Sequence, residues 1–158
     1  ASVQGYCLAN GAGLAYACDM TVSADNATYG TTAINVGLIC LGPAAPMIQI
    51  VGKKKAMEMV LTGNVITADE AERLGLVNKV VPLEDLEGET MQLAENLASK
   101  SPSSLKIGKQ GLNRLYDNKY HDSLIAMDDL FAALCATEDA EEGVAAFLEK
   151  RAPVWKDR

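Results

Sequence analysis

The stretch that most constrains this chain is its first nineteen residues. A short run ending at Gly5 is followed by Ala9-Asn10-Gly11-Ala12-Gly13 and then by the compact, mostly apolar Leu14 to Cys18. Ala1 to Gly5 reads as the tail of a buried strand. The small residues permit a tight turn, and Leu14 to Cys18 reads as a helix slim enough to lie close to a sheet. The leading N–H groups of such a helix lack intrahelical partners and carry its positive dipole end. A carbonyl oxygen gaining negative charge is stabilised there. The plainer alternative, a strand-to-helix turn with no role beyond the fold, stays open on these residues alone.

Beyond Asp19 the pattern is α/β. Met20 to Ala24 and Ala27 to Gly30 read as strands joined by the turn residues Asp25-Asn26. Thr31 to Pro43 reads as a loop lining a pocket. A short apolar helix over Ala44 to Val51 is broken by Gly52, and a second follows from Lys53 to Thr62. Thr67-Ala68-Asp69-Glu70 is a capping box, with hydroxyl and carboxylate both meeting N–H groups at a helix start. Gly75 is placed to end that helix in the left-handed conformation. Leu76 to Val81 reads as a strand stopped by Pro82. From Leu83 only helices are expected: Glu84 to Ser99, Leu105 to Asp117 after a start at Ser101-Pro102, Ser123 to Ala136, and Glu138 to Arg151. The break near Ser101 divides an α/β part, 1–100, from a helical part, 101–158.

Composition narrows the function. A net charge of −7 argues against nucleic acid as a partner. Lys53-Lys54-Lys55 reads as a solvated helix start. No run approaches 18 uninterrupted apolar residues, so no membrane span is expected. Cys7, Cys18, Cys40 and Cys135 are irregularly spaced, which fits reduced thiols used as small apolar residues. With one histidine, His121, no metal site is expected, and His121 beside Asp122 reads as a helix-start residue.

The series Gly5-Tyr6-x-Leu8-x-x-Gly11-x-x-Leu14-Ala15-x-x-Cys18-Asp19 resembles the middle of the crotonase (enoyl-CoA hydratase/isomerase) superfamily. The resemblance continues through Ala27-Thr28-Tyr29-Gly30, Val51-Gly52-Lys53, Leu61-Thr62-Gly63 and Leu74-Gly75-Leu76-Val77 to Ala146-Phe147-Leu148-Glu149-Lys150-Arg151. It covers essentially the whole chain. It implies a crotonase-like β-β-α spiral core, in part, followed by a helical oligomerisation region. It also implies an acyl-CoA thioester ligand, with coenzyme A as part of the substrate and no covalently bound cofactor. The family's upstream half is expected to be missing, since Ala1 falls inside an apparent strand, and no leader is visible. A homotrimer or hexamer, in the bacterial cytoplasm or the mitochondrial matrix, is the implied setting.

The resemblance also assigns roles. One of two backbone N–H groups that bind the thioester oxygen matches Asn10, where most members have Gly. Asn tolerates unusual backbone angles, and donation does not depend on the side chain. Phe147 and Lys150 match positions whose side chains in the family reach the CoA nucleotide of a neighbouring subunit; a terminal helix with Phe147 in the core and Lys150 in water is the plain alternative. The two catalytic glutamates of hydratases fall on Gly13 and Ala33. Hydration needs one group to activate water and another to protonate carbon, and neither residue moves a proton. From Ala27 to Gly52 there is no Asp, Glu or His. Hydratase chemistry is therefore not expected, and a different acyl-CoA reaction, a non-catalytic acyl-CoA binder and an oligomerising structural subunit remain as readings. Of the other polar residues, Tyr6 is expected to pack, Cys40 to be a buried inert thiol, and Trp155 to anchor the tail. Thr31 and Thr32 are read either as orienting a water or as capping a strand end.

Overall fold

The computed structural model describes residues 1–36, 38–117, 132–133 and 135–156. They fall into two compact units, Ala1–Leu93 and Ala94–Arg158.

In the first unit, two short strands and a helix recur. Strands β1 (Ser2–Val3) and β2 (Tyr6–Leu8) lead into helix α1 (Asn10–Ala17). Strands β3 (Val22–Ala24) and β4 (Thr28–Gly30) lead, through a 3-10 turn over Thr32–Val36, into α2 (Leu41–Thr62). Then come β5 (Val65–Thr67), α3 (Ala68–Arg73), β6 (Lys79–Val81) and α4 (Leu86–Ala98). The first four strands alternate between two sheets, and β5 then joins β4 before β6 returns to the first sheet. One has the order β1-β3-β6, all parallel; the other is β2-β4-β5, with β5 antiparallel to β4. The result is a β-β-α spiral.

Local chemistry explains most boundaries. Gly52 (φ 75°, ψ 167°) breaks α2 where the sequence predicts it. Gly63 (φ 65°) closes α2, its N–H bonding the Met59 carbonyl at 3.1 Å. A β-carbon on Gly63 would lie 2.6 Å from Asn35 Oδ1, so no other residue fits there without movement. Thr67 caps α3, its hydroxyl accepting from the Glu70 N–H at 3.2 Å. The carboxylate half of the expected capping box turns elsewhere: Glu70 Oε1 accepts from Lys55 Nζ at 3.2 Å. The strand expected over Leu76–Val81 forms only at Lys79–Val81. The N–H groups of Leu76 and Val77 instead turn back to the Ala71 carbonyl behind Gly75 (φ 79°).

The core of this unit sits between α1, α2, α3 and the β2-β4-β5 sheet. Ala12, Tyr29 and Met47 are fully buried there. The Tyr16 and Tyr29 rings stack at 6.4 Å, and the Tyr29 hydroxyl donates to Ser23 Oγ at 2.9 Å. A second cluster joins Val22, Ala24, Val81 and Leu86.

The second unit contains α5 (Pro102–Asp117) and α6 (Glu138–Glu149), which pack on each other. As the sequence suggests, Pro102 opens α5, and Ser101 Oγ accepts from the Ser104 N–H at 3.2 Å. His121 lies outside the described residues, as do Leu124, Met127, Leu130, Phe131 and Leu134, the apolar stripe expected on the helix over Ser123 to Ala136. No described helix is long and apolar enough to cross a membrane.

Candidate functional site

The turn from β2 into α1 is built by one residue. Ala9 takes φ 47° and ψ −122°, a combination that L-residues with a β-carbon rarely adopt. Its N–H donates to the Gly30 carbonyl at 2.9 Å, continuing the pairing of β2 with β4. Its own carbonyl accepts from Gly13 at 3.1 Å and so begins α1. The unusual angle thus falls on Ala9 and not on Asn10, the residue type that tolerates it better, because the chain must reverse before the first helical residue and not on it.

Asn10 is that first helical residue. Its N–H has no hydrogen-bond partner among the described residues. No acidic side chain stands in the first turn to neutralise the positive end of α1. Tyr6 is 87% exposed and Leu14 74% exposed, so neither is folded into the core beneath Asn10. This corrects the expected packing of Tyr6. Side chains alternate along a strand, and Cys7 is the β2 residue turned inward.

At the two positions matched to carboxylates the structure supplies no acid. Gly13 faces the first turn of α2. A β-carbon there would lie 3.1 Å from Pro43 Cγ and 3.2 Å from Pro43 Cα. Ala33 lies half-buried in the 3-10 turn, its carbonyl accepting from Leu38 at 3.0 Å. The buried titratable groups in and beneath α1 are held protonated. Burial pushes the Cys7 thiol up and raises Tyr16 well above the ordinary tyrosine range. Burial also pushes Tyr29 up to about 12, with the Ser23 hydrogen bond opposing. None of the three is a base at neutral pH.

Thr31 is fully buried, and its hydroxyl finds no partner among the described residues, so it does not cap the strand end. Cys40 is buried at the residue before α2. Among the described residues no group of three or more His, Cys, Asp or Glu is arranged to hold a metal ion. An open groove of about 450 Å³ runs beside Ser2, Gln4, Leu83, Glu87, Thr90 and Met91, none of them a residue singled out by the sequence.

In the second unit, Lys150 lies just past α6 with φ 55°, exposed, and makes no ion pair among the described residues. Phe147 is in α6, and its side chain lies outside the description.

The profile of the family described as Enoyl-CoA hydratase/isomerase matches residues 1–158, the full chain. The chain belongs to this family. It is 40% identical over 159 residues to a probable enoyl-CoA hydratase of Mycobacterium tuberculosis, covering 100% of this chain and 62% of that protein. It is equally 40% identical over 159 residues to the 2,3-dehydroadipyl-CoA hydratase of Escherichia coli, again 100% of this chain and 62% of the other. Among solved structures, an enoyl-CoA hydratase subunit from Geobacillus kaustophilus superposes with a TM-score of 0.95 at 36% identity, over 99% of this chain and 62% of that one. The chain therefore spans about 62% of the length of these relatives, and its spiral is the crotonase fold.

Proposed function

We propose that this chain handles acyl-CoA thioesters, receiving the thioester oxygen at the Asn10 N–H without performing hydratase acid–base chemistry. The observation that carries the reading is the open Asn10 N–H at the head of α1, unneutralised by any acid of the first turn. Family membership supports the ligand class. A backbone donor at this place contributes about 3 kcal/mol to an oxyanion-like transition state. Gly13 and Ala33 at the carboxylate positions, with protonated Cys7, Tyr16 and Tyr29 beneath, support binding over hydration. On this reading coenzyme A enters as part of the ligand, and Phe147 and Lys150 meet its nucleotide, an aromatic beside adenine and an ammonium near phosphate.

The same reading takes the protein as a homotrimer or hexamer. Relatives of bacterial and mitochondrial origin support the bacterial cytoplasm or mitochondrial matrix as its location.

Calorimetry with butyryl-CoA, beside the absorbance decay of crotonyl-CoA, tests the reading. Saturable binding with negligible hydration is expected. Hydration on the order of 10 per second, an ordinary enzyme turnover, contradicts it. So does an absence of thioester binding.

A further inference from the structure

The last residues of the described chain fold back along α6. Arg151 donates through Nη2 to Glu142 Oε2 at 2.9 Å and through Nε to Glu149 Oε2 at 2.6 Å. The Val154 N–H donates to Glu142 Oε1 at 2.8 Å, so one carboxylate holds both a side chain and the backbone of the tail. The Lys156 N–H donates to Asp139 Oδ1 at 2.7 Å. Asp139 is buried, and its other oxygen accepts from Ser101 Oγ at 2.9 Å, at the start of α5. The Trp155 indole N–H donates to the Ser99 carbonyl at 2.8 Å. Its ring lies over Gly143, where an added β-carbon would be 3.4 Å from Cη2.

Between α6 and this tail stands Lys150. Its φ of 55° is a conformation that usually falls to Gly or Asn at a helix end, because a β-carbon is crowded there. The Arg151 N–H donates to the Ala146 carbonyl at 3.0 Å, completing the reversal. A left-handed lysine persists when its surroundings over-determine it. Here the surroundings are the tail contacts, which begin at the next residue.

We infer that residues 151–156 are a strap that holds Lys150 in its left-handed conformation and so aims its ammonium, making Trp155 and Glu142 positioning residues for that lysine. The inference rests on the reading of Lys150 as a CoA-nucleotide contact. Geometry supplies the physical reason. A lysine on a frayed helix end samples many directions, and ordering it on binding lowers affinity. A strap docked at Glu142, Asp139 and Ser99 orders the backbone beforehand.

Coenzyme A itself is the probe, and the variants are Trp155→Phe, Glu142→Gln and Lys150→Ala, alone and combined. Trp155→Phe is expected to weaken CoA binding about five-fold, and less than about two-fold on a Lys150→Ala background, since residues acting through one another are non-additive. Equal losses on both backgrounds, or no loss on either, overturn the strap as a positioning device. No loss from Lys150→Ala alone overturns the nucleotide reading instead, so the two failures are distinguishable.

Trp155 is the only tryptophan, so its fluorescence reports docking. In Glu142→Gln, where the Arg151 ion pair is gone, Trp155 emission is expected to shift towards that of an exposed indole and to return on CoA addition. Linkage requires this return if docking and CoA binding are coupled. An unchanged emission on CoA addition, or an equal return on the Lys150→Ala background, contradicts the coupling.

Discussion

The Ala9 N–H and the Gly30 carbonyl meet at 2.9 Å, and that bond turns the next N–H, of Asn10, away from every acceptor among the described residues. A peptide unit spent on the sheet at Ala9 places its neighbour at the head of α1. Ala9 consequently carries the unusual backbone angle, and the Asn10 N–H stands open because the turn is tight.

Ala9→Gly is therefore expected to stabilise the fold. Relief of φ 47°, ψ −122° gains on the order of 1–3 kcal/mol, and the extra freedom of glycine in the unfolded chain returns roughly 0.5–1 of it. A net gain of about 1 kcal/mol should appear as a higher urea midpoint with unchanged slope.

Gly13 behaves in the opposite sense. In an open helix Gly→Ala gains up to ~1 kcal/mol, and Gly108 in α5, with no described atom within 4 Å of its added β-carbon, should show that gain. At Gly13 the new methyl meets the Pro43 ring and Cα at 3.1–3.2 Å, atoms that cannot swing aside. Overpacking of about 1–3 kcal/mol then exceeds the helix gain. Thermal melts should move down for Gly13→Ala and up for Gly108→Ala.

The buried phenols set an alkaline limit. Tyr29 rises from 10.0 to about 12 and Tyr16 further still, both chiefly through burial. Above the ordinary pKa the unfolded chain releases protons that the folded chain keeps, so stability falls as pH rises. The contribution is complete below about pH 10 and is lost progressively towards and beyond 12. Tyr16→Phe should flatten this loss in melts taken between pH 8 and 11.5. It should also leave stability at pH 7 equal or higher, because the Tyr16 hydroxyl is buried without a partner among the described residues.

Much of the spiral is legible in the sequence because its punctuation is chemical. Gly52, Thr67, Gly75 and Pro102 each mark a boundary through a requirement that few residues meet. Strand β5 is not legible: Val65–Thr67 is three residues long and offers no alternation to detect. The small run Ala9–Gly13 announces a turn but not which residue bends, since Ala, Asn and Gly all fit a short connection. Bonding to Gly30, twenty-one positions away, decides it. Tyr6 is misread for a similar reason, as the face of β2 that turns inward depends on α1 and Tyr29. Of the strap from Arg151 to Lys156 the sequence offers only Trp155 as an anchor, because the partners at Ser99 and Asp139 come from other elements.

The most direct measurement compares affinity for butyryl-CoA with that for its thioether analogue, which lacks the carbonyl oxygen, in Asn10→Gly and Asn10→Pro. Asn10 is the first helical residue, where proline removes an N–H that has no partner among the described residues and suits the helix, and melts run beside the titrations report any wider disturbance. Asn10→Gly should keep the preference for the thioester. Asn10→Pro should lose about ten-fold of it, the worth of one hydrogen bond of about 1.4 kcal/mol, with thioether affinity unchanged. A thioester preference that survives Asn10→Pro in a folded protein would contradict the assignment of the Asn10 N–H to the thioester oxygen.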